Sequence, residues 1–144
     1  MTGDQEASAE PQQSTDGSLV LLYIEDNAAS VDVMEAVLEL RPAWRFVHAG
    51  LMRTGIDAAH THRPDLILLD MNLPDGSGAQ ALAALKASPV TRDLPVVILT
   101  AGTTDKNTTS LLAAGAEAFW TKPHDLGLML AYFDHIADRS PPED

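Results

Sequence analysis

Three short apolar runs constrain this chain more than anything else in it: LVLLYI at 19–24, LILL at 66–69 and VVIL at 96–99. None alternates with polar residues, so a strand built from any of them has to be covered on both faces. Between and after them, apolar residues recur at helical spacing: Val33, Met34, Val37 and Leu38, then Leu82 with Leu85, Leu111 with Leu112, and Leu126, Met129, Leu130 and Phe133. Two weaker stretches, WRFVH at 44–48 and EAFW at 117–120, are shorter or mixed with polar residues, as edge strands are. A helix over about 53–61 completes a strand–helix alternation repeated five times. With right-handed crossovers this predicts an α/β fold, an open doubly wound parallel sheet, and the order 2-1-3-4-5 puts the two weak strands at its edges.

Local signals agree with that outline. Ser77 followed by Gln80 is a capping-box pattern at the start of the third helix, and Gly115 is a natural end for the fourth. Residues 1–18 carry four acids, no base and no bulky apolar side chain after Met1, so a disordered acidic tail or linker is expected there. RSPPED after Asp138 is expected to be a second disordered tail over 139–144, its paired prolines stopping any helix. One domain over 19–138 remains, a normal size for a single core.

A formal charge of -12 and a pI near 4.5 argue against a nucleic-acid footprint, which needs clustered Lys and Arg. The absence of cysteine excludes disulfides, thiolate catalysis and thiolate metal sites. No apolar run approaches a membrane span and no signal peptide is recognisable, so a cytoplasmic protein is expected.

In open α/β sheets the functional crevice lies at the carboxyl ends of the strands, beside the switch in strand order. Here the first strand ends in Glu25 and Asp26, the third in Asp70 and the fourth in Thr100, while the fifth leads to Lys122. Three acids brought together repel one another, and a divalent cation relieves the repulsion. Oxygen ligands without His or Cys suit Mg²⁺, which keeps several waters and favours sites completed by phosphate oxygens. Lys122 and Thr100 add a point charge and a hydroxyl donor suited to phosphoryl oxygens. The set asks for a phosphoryl group beside Mg²⁺, with a carboxylate as nucleophile.

In these motifs the chain resembles the receiver domain of two-component response regulators (CheY-like) across essentially all of 19–138. The resemblance is carried by Glu25-Asp26 in YIEDN, Asp70 in LILLDMNLPDG, Thr100 in VVILTA and Lys122-Pro123 in FWTKP, with gaps of 44, 30 and 22 residues between Asp26, Asp70, Thr100 and Lys122. It implies a flavodoxin-like (βα)5 three-layer sandwich. It also implies that Asp70 accepts a phosphoryl group from a histidine kinase or histidine phosphotransfer protein. Asp26, Asp70 and the backbone carbonyl of Asn72 would then be Mg²⁺ ligands, with Glu25 acting through metal-bound water. Lys122 would pair with the phosphoryl group, Thr100 would move to hydrogen-bond it, and Phe119 would swing inward with Thr100. The Lys122-Pro123 peptide would be cis.

The fourth helix begins in residues of poor helix propensity, TTDKNTTS, so the surface of helix 4, strand 5 and helix 5 is the expected switch and a homodimer face. Leu128 and Tyr132 lie off the core stripe of the last helix and would add apolar contact there. Gly102 would leave the site mouth open to hydrolytic water. The chemistry is self-directed, covering phosphoryl acceptance and slow hydrolysis, and no outside substrate is turned over. Stand-alone regulator and receiver of a larger protein both remain open. A phosphorylation-independent interaction module is the alternative function. An aspartyl-phosphate phosphatase is disfavoured, because Asn72 stands where a general acid would be needed. The five histidines read as unremarkable, with His60 and His62 flanking a helix end and facing solvent instead of holding a metal.

Overall fold

β3 (Leu66–Asp70) is buried along its whole length, and the rest of the molecule is arranged to bury it. The structure, a computed structural model, describes residues 19–100, 105–121 and 125–139. In chain order the other elements are β1 (Leu19–Ile24), α1 (Ala28–Leu38), β2 (Trp44–Ala49), α2 (Met52–His62), then after β3 a hairpin of β4 (Asn72–Leu73) and β5 (Gly76–Ser77), α3 (Gly78–Ala87), β6 (Val96–Thr100), α4 (Asp105–Ala113), β7 (Ala118–Thr121) and α5 (Leu126–Arg139). The main sheet runs β2-β1-β3-β6-β7, every pairing parallel. Counting only its own five strands, that is the expected 2-1-3-4-5 order of a flavodoxin-like sandwich.

Side chains alternate across the sheet and meet a helical layer on each side. On one face Leu22, Ile24, Ile67, Leu69, Val96 and Ile98 pack against Ala59 of α2, Leu82 and Leu85 of α3 and Leu111 of α4. On the other Leu21, Tyr23, Leu66, Leu68, Val97 and Leu99 pack against Met34 and Leu38 of α1 and Met129, Phe133 and Ile136 of α5. Each fully buried side chain of this size contributes about 1.5–3 kcal/mol, so the apolar runs account for both layers.

Helix ends follow the local chemistry. The Asn27 side chain caps α1 by accepting from the Ser30 N–H at 2.9 Å. Ser77 and Gln80 close their capping box reciprocally, at 2.9 and 3.1 Å. Past α4, Gly115 takes a φ of 116°, a conformation that favours glycine.

Some expectations change. Val33, Leu112 and Leu126 face solvent; in α1, Val31, Met34 and Leu38, spaced three and four apart, already fill the stripe toward the sheet. The last helix continues through Arg139, one residue beyond the expected limit, where the Arg139 guanidinium bridges to Glu117 at 3.2 Å. The β4–β5 hairpin had no signal in apolar patterning, being two residues on each side.

Gly55 lets α2 lie directly on β1. A Cβ there would stand 2.6–2.9 Å from three side-chain atoms of Ile24. Gly55→Ala is expected to lower unfolding free energy by about 1–3 kcal/mol, the usual range for overpacking. An unchanged urea midpoint would show that α2 can lift from the sheet freely.

Candidate functional site

Register decides what stands together. Ile24 pairs with Leu69 and Asp70 with Leu99, so the residues leaving β1 and ending β3 reach the same sheet edge side by side. Beyond β1 the strand order reverses, with β2 on one side and β3 on the other, which is where open sheets form crevices. There the carboxylates of Glu25, Asp26 and Asp70 each offer an oxygen within 4.8 Å of the others. Glu25 is 1% and Asp70 6% exposed, whereas Asp26 faces solvent. Buried like charges at this separation call for a cation, and an all-oxygen donor set suits Mg²⁺.

Glu25 is gripped from several directions. Its Oε1 accepts from the Tyr23 hydroxyl at 3.3 Å and its Oε2 from the Asn27 N–H at 3.2 Å. Its backbone N–H donates to the Ala49 carbonyl at 2.9 Å, and its own carbonyl accepts from His48 Nε2 at 2.7 Å. A carbonyl only accepts, so the His48 ring carries its proton on Nε2. Burial, above all, then the charge and hydrogen bond of Glu25 and the charge of Asp70, hold the Tyr23 phenol well above its ordinary pKa of 10. Sequence reading missed both Tyr23 and His48, which is exposed yet reaches the Glu25 carbonyl with its ring. The available signal was period two along β1, which puts Tyr23 and Glu25 on one face; no comparable signal marked His48.

The segment after Asp70 is braced as well. Met71 N–H donates to the Leu99 carbonyl at 2.9 Å, and Gly78 N–H to the Met71 carbonyl at 2.7 Å. Gly78 has to be small, since a Cβ would meet Met71 Cα at 3.0 Å and the Asp70 carbonyl oxygen at 3.1 Å. At the hairpin turn, Asp75 caps the neighbouring helix: Oδ1 accepts from Met52 N–H at 2.6 Å and Oδ2 from Arg53 N–H at 3.1 Å. Asn72, exposed in β4 opposite Ser77, thus sits in a loop tied to α2 and α3.

The Arg53 and Met52 N–H groups hold the Asp75 carboxyl below its usual range. A depressed carboxyl pKa contributes stability above the unfolded value of about 4 and loses it as pH falls through the folded one. Asp75→Asn is therefore expected to be less stable than the parent at neutral pH, the gap closing below about pH 4. A gap of constant size across the acid range would show that the charge plays no part.

Thr100 ends β6 half-buried, paired with Thr121. Phe119 is half-buried against the face covered by α2, α3 and α4, and Trp120 lies on the opposite face, as strand alternation requires. Lys122, Pro123 and Gly102 lie outside the described residues. Leu128 is 70% exposed, whereas Tyr132 is half-buried with its ring edge-on to Trp120 at 5.3 Å. His60 Nδ1 donates to the Ile56 carbonyl and its Nε2 meets the Ser88 hydroxyl, each at 3.0 Å, tying α2 to the end of α3. Among the described residues, no helix is long and apolar enough to cross a membrane.

A doubly wound parallel sheet with an acidic cluster at its switch point defines an α/β protein with a cation-suited crevice. The family model for the response regulator receiver domain matches residues 21–134, and the chain belongs to that family. It is 34% identical over 122 residues to the phosphate regulon transcriptional regulatory protein PhoB of Escherichia coli K12, covering 85% of this chain and 53% of that one. It is 31% identical over 120 residues to the cell cycle transcriptional regulator CtrA of Caulobacter vibrioides, covering 83% and 51%. The chain thus spans about half the length of these curated relatives.

Among solved structures, the signal receiver domain of a DNA-binding response regulator from Colwellia psychrerythraea superposes with a TM-score of 0.79 at 27% identity, covering 84% of this chain and 99% of that one. The receiver domain of a sensor histidine kinase from Pseudomonas aeruginosa, described with magnesium coordinated in its active-site cleft, superposes at 0.75 with 25% identity, covering 84% and 98%.

Proposed function

We propose that this chain is a phosphoacceptor of a two-component relay, taking a phosphoryl group from a phosphohistidine onto Asp70. The observation that carries the reading is the convergence of Glu25, Asp26 and Asp70 at the end of a buried strand. An Asp70 carboxylate oxygen attacks phosphorus, the P–N bond breaks, and the histidine nitrogen leaves with the electron pair. The buried strand holds Asp70 in line for this displacement, and such orientation supplies much of the rate. Asp26, Asp70 and the Asn72 carbonyl would hold Mg²⁺, with Glu25 acting through its water, and the chemistry that such an ion would supply is neutralisation of charge on the phosphoryl oxygens.

Thr100 donates its hydroxyl to the phosphoryl oxygens and Lys122 supplies a point charge. Phe119 follows Thr100, re-posing the surface of α4, β7 and α5 for a protein target or a second copy of the chain. The donor is a histidine kinase or histidine phosphotransfer protein, and the setting is cytoplasmic. The chemistry ends with slow hydrolysis of the aspartyl phosphate. Support comes from the family membership and from the relative whose cleft is described with magnesium.

Intact mass after incubation with a small-molecule phosphodonor tests the reading. A gain of one phosphoryl group that requires Mg²⁺ is expected. A folded chain that gains nothing from that donor or from a phosphohistidine donor would be a phosphorylation-independent interaction module instead.

A further inference from the structure

Tyr23 is buried with 1% of its surface exposed, its ring tilted against Phe46 at 6.2 Å between centroids. Packing on all sides fixes the ring and therefore the position of its hydroxyl. A buried tyrosine hydroxyl needs a partner, and this one reaches along β1 to Glu25 Oε1 at 3.3 Å. The Asn27 N–H takes the other oxygen at 3.2 Å. Between these two donors the carboxylate is held as by a fork, and rotation about its terminal bond would break both contacts.

We infer that Tyr23 is a positioning residue of the acidic cluster: its hydroxyl sets the orientation of the Glu25 carboxylate, and the length of Glu at position 25 is what lets the two meet. A side chain one carbon shorter would withdraw the oxygen by about 1.5 Å, leaving a buried donor without its acceptor. Oriented this way, Glu25 presents a fixed carboxylate beside Asp26 and Asp70, all three within 4.8 Å, and less reorganisation accompanies cation entry. Partners that orient a metal-site residue from behind are commonly worth ten-fold or more in affinity. The inference rests on the reading of these three acids as a divalent-cation site.

Calorimetric titration of the whole chain with Mg²⁺ alone tests it, using the parent, Tyr23→Phe, Glu25→Ala and the double variant. Phe keeps the ring and its packing and removes only the hydroxyl. Tyr23→Phe is expected to weaken Mg²⁺ binding about ten-fold, and in the Glu25→Ala background the same change is expected to do nothing further. A purely structural tyrosine would lower the melting temperature without Mg²⁺ and leave the dissociation constant alone, and that result overturns the inference. So does an undiminished effect of Tyr23→Phe when Glu25 is already Ala, because Tyr23 would then act by another route. If the folded parent itself binds no Mg²⁺, the cation reading fails first and this inference falls with it.

Discussion

Asp70→Asn is expected to abolish phosphoryl uptake while leaving the fold intact. Asn matches Asp in size at a position 6% exposed, so neither β3 nor its pairing with Leu99 at β6 is disturbed. The substitution removes the proposed nucleophile, because a neutral amide oxygen lacks the carboxylate's charge and cannot yield a stable acyl phosphate. It also removes one of three clustered negative charges, which relieves repulsion with Glu25 and Asp26. The variant is thus expected to melt at least as high as the parent without Mg²⁺ and to gain no mass from a phosphodonor. Uptake equal to the parent's would place the acceptor on another side chain and remove Asp70 from the mechanism.

Phe133→Ala is expected to have the opposite profile, with a large loss of stability and a working site. Phe133 is completely buried on the sheet-facing side of α5, its ring 5.6 Å from that of Trp44 in the edge strand, between Met129 and Ile136 on the same helical stripe. Truncating a buried Phe costs about 3–5 kcal/mol, from lost transfer energy and the cavity left behind. Against a typical total of about 5–15 kcal/mol this is a large fraction. Urea unfolding followed by circular dichroism reads it directly. A loss below about 1 kcal/mol would mean that α5 collapses into the space. At temperatures where the variant stays folded, phosphoryl uptake is expected to persist, because Phe133 anchors a layer and does not contribute to the acidic edge.

Much of the architecture could be read from residue patterns, for a definite reason. LILL and VVIL are apolar on both faces, which only a doubly covered strand satisfies, and the acids fall at their ends because the carboxyl edge is where burial stops. Glu25, Asp26 and Asp70 were therefore legible together. Val33, Leu112 and Leu126 were misread because helical spacing defines a stripe without saying how wide the neighbouring sheet is. The hairpin after Asp70 and, the Tyr23 hydroxyl apart, the bracing of Glu25 depend on bonds in which at least one partner is a backbone group. Met71 to Leu99 and His48 to Glu25 involve main-chain groups that every residue has, so side-chain identity could not announce them. Asp75 shows the same limit, since its grip on α2 runs through the Met52 and Arg53 backbone N–H groups.

The close seating of Gly55 on Ile24 has an inheritance of its own. Ile24 is the last residue of β1, directly before Glu25, so whatever occupies position 55 sets the depth at which that end of the strand can lie. A larger residue on the helix is accommodated most easily with a smaller one on the strand, since the two side chains share one space. A residue enlarged on one side alone would tilt the acidic edge from behind, without altering Glu25, Asp26 or Asp70.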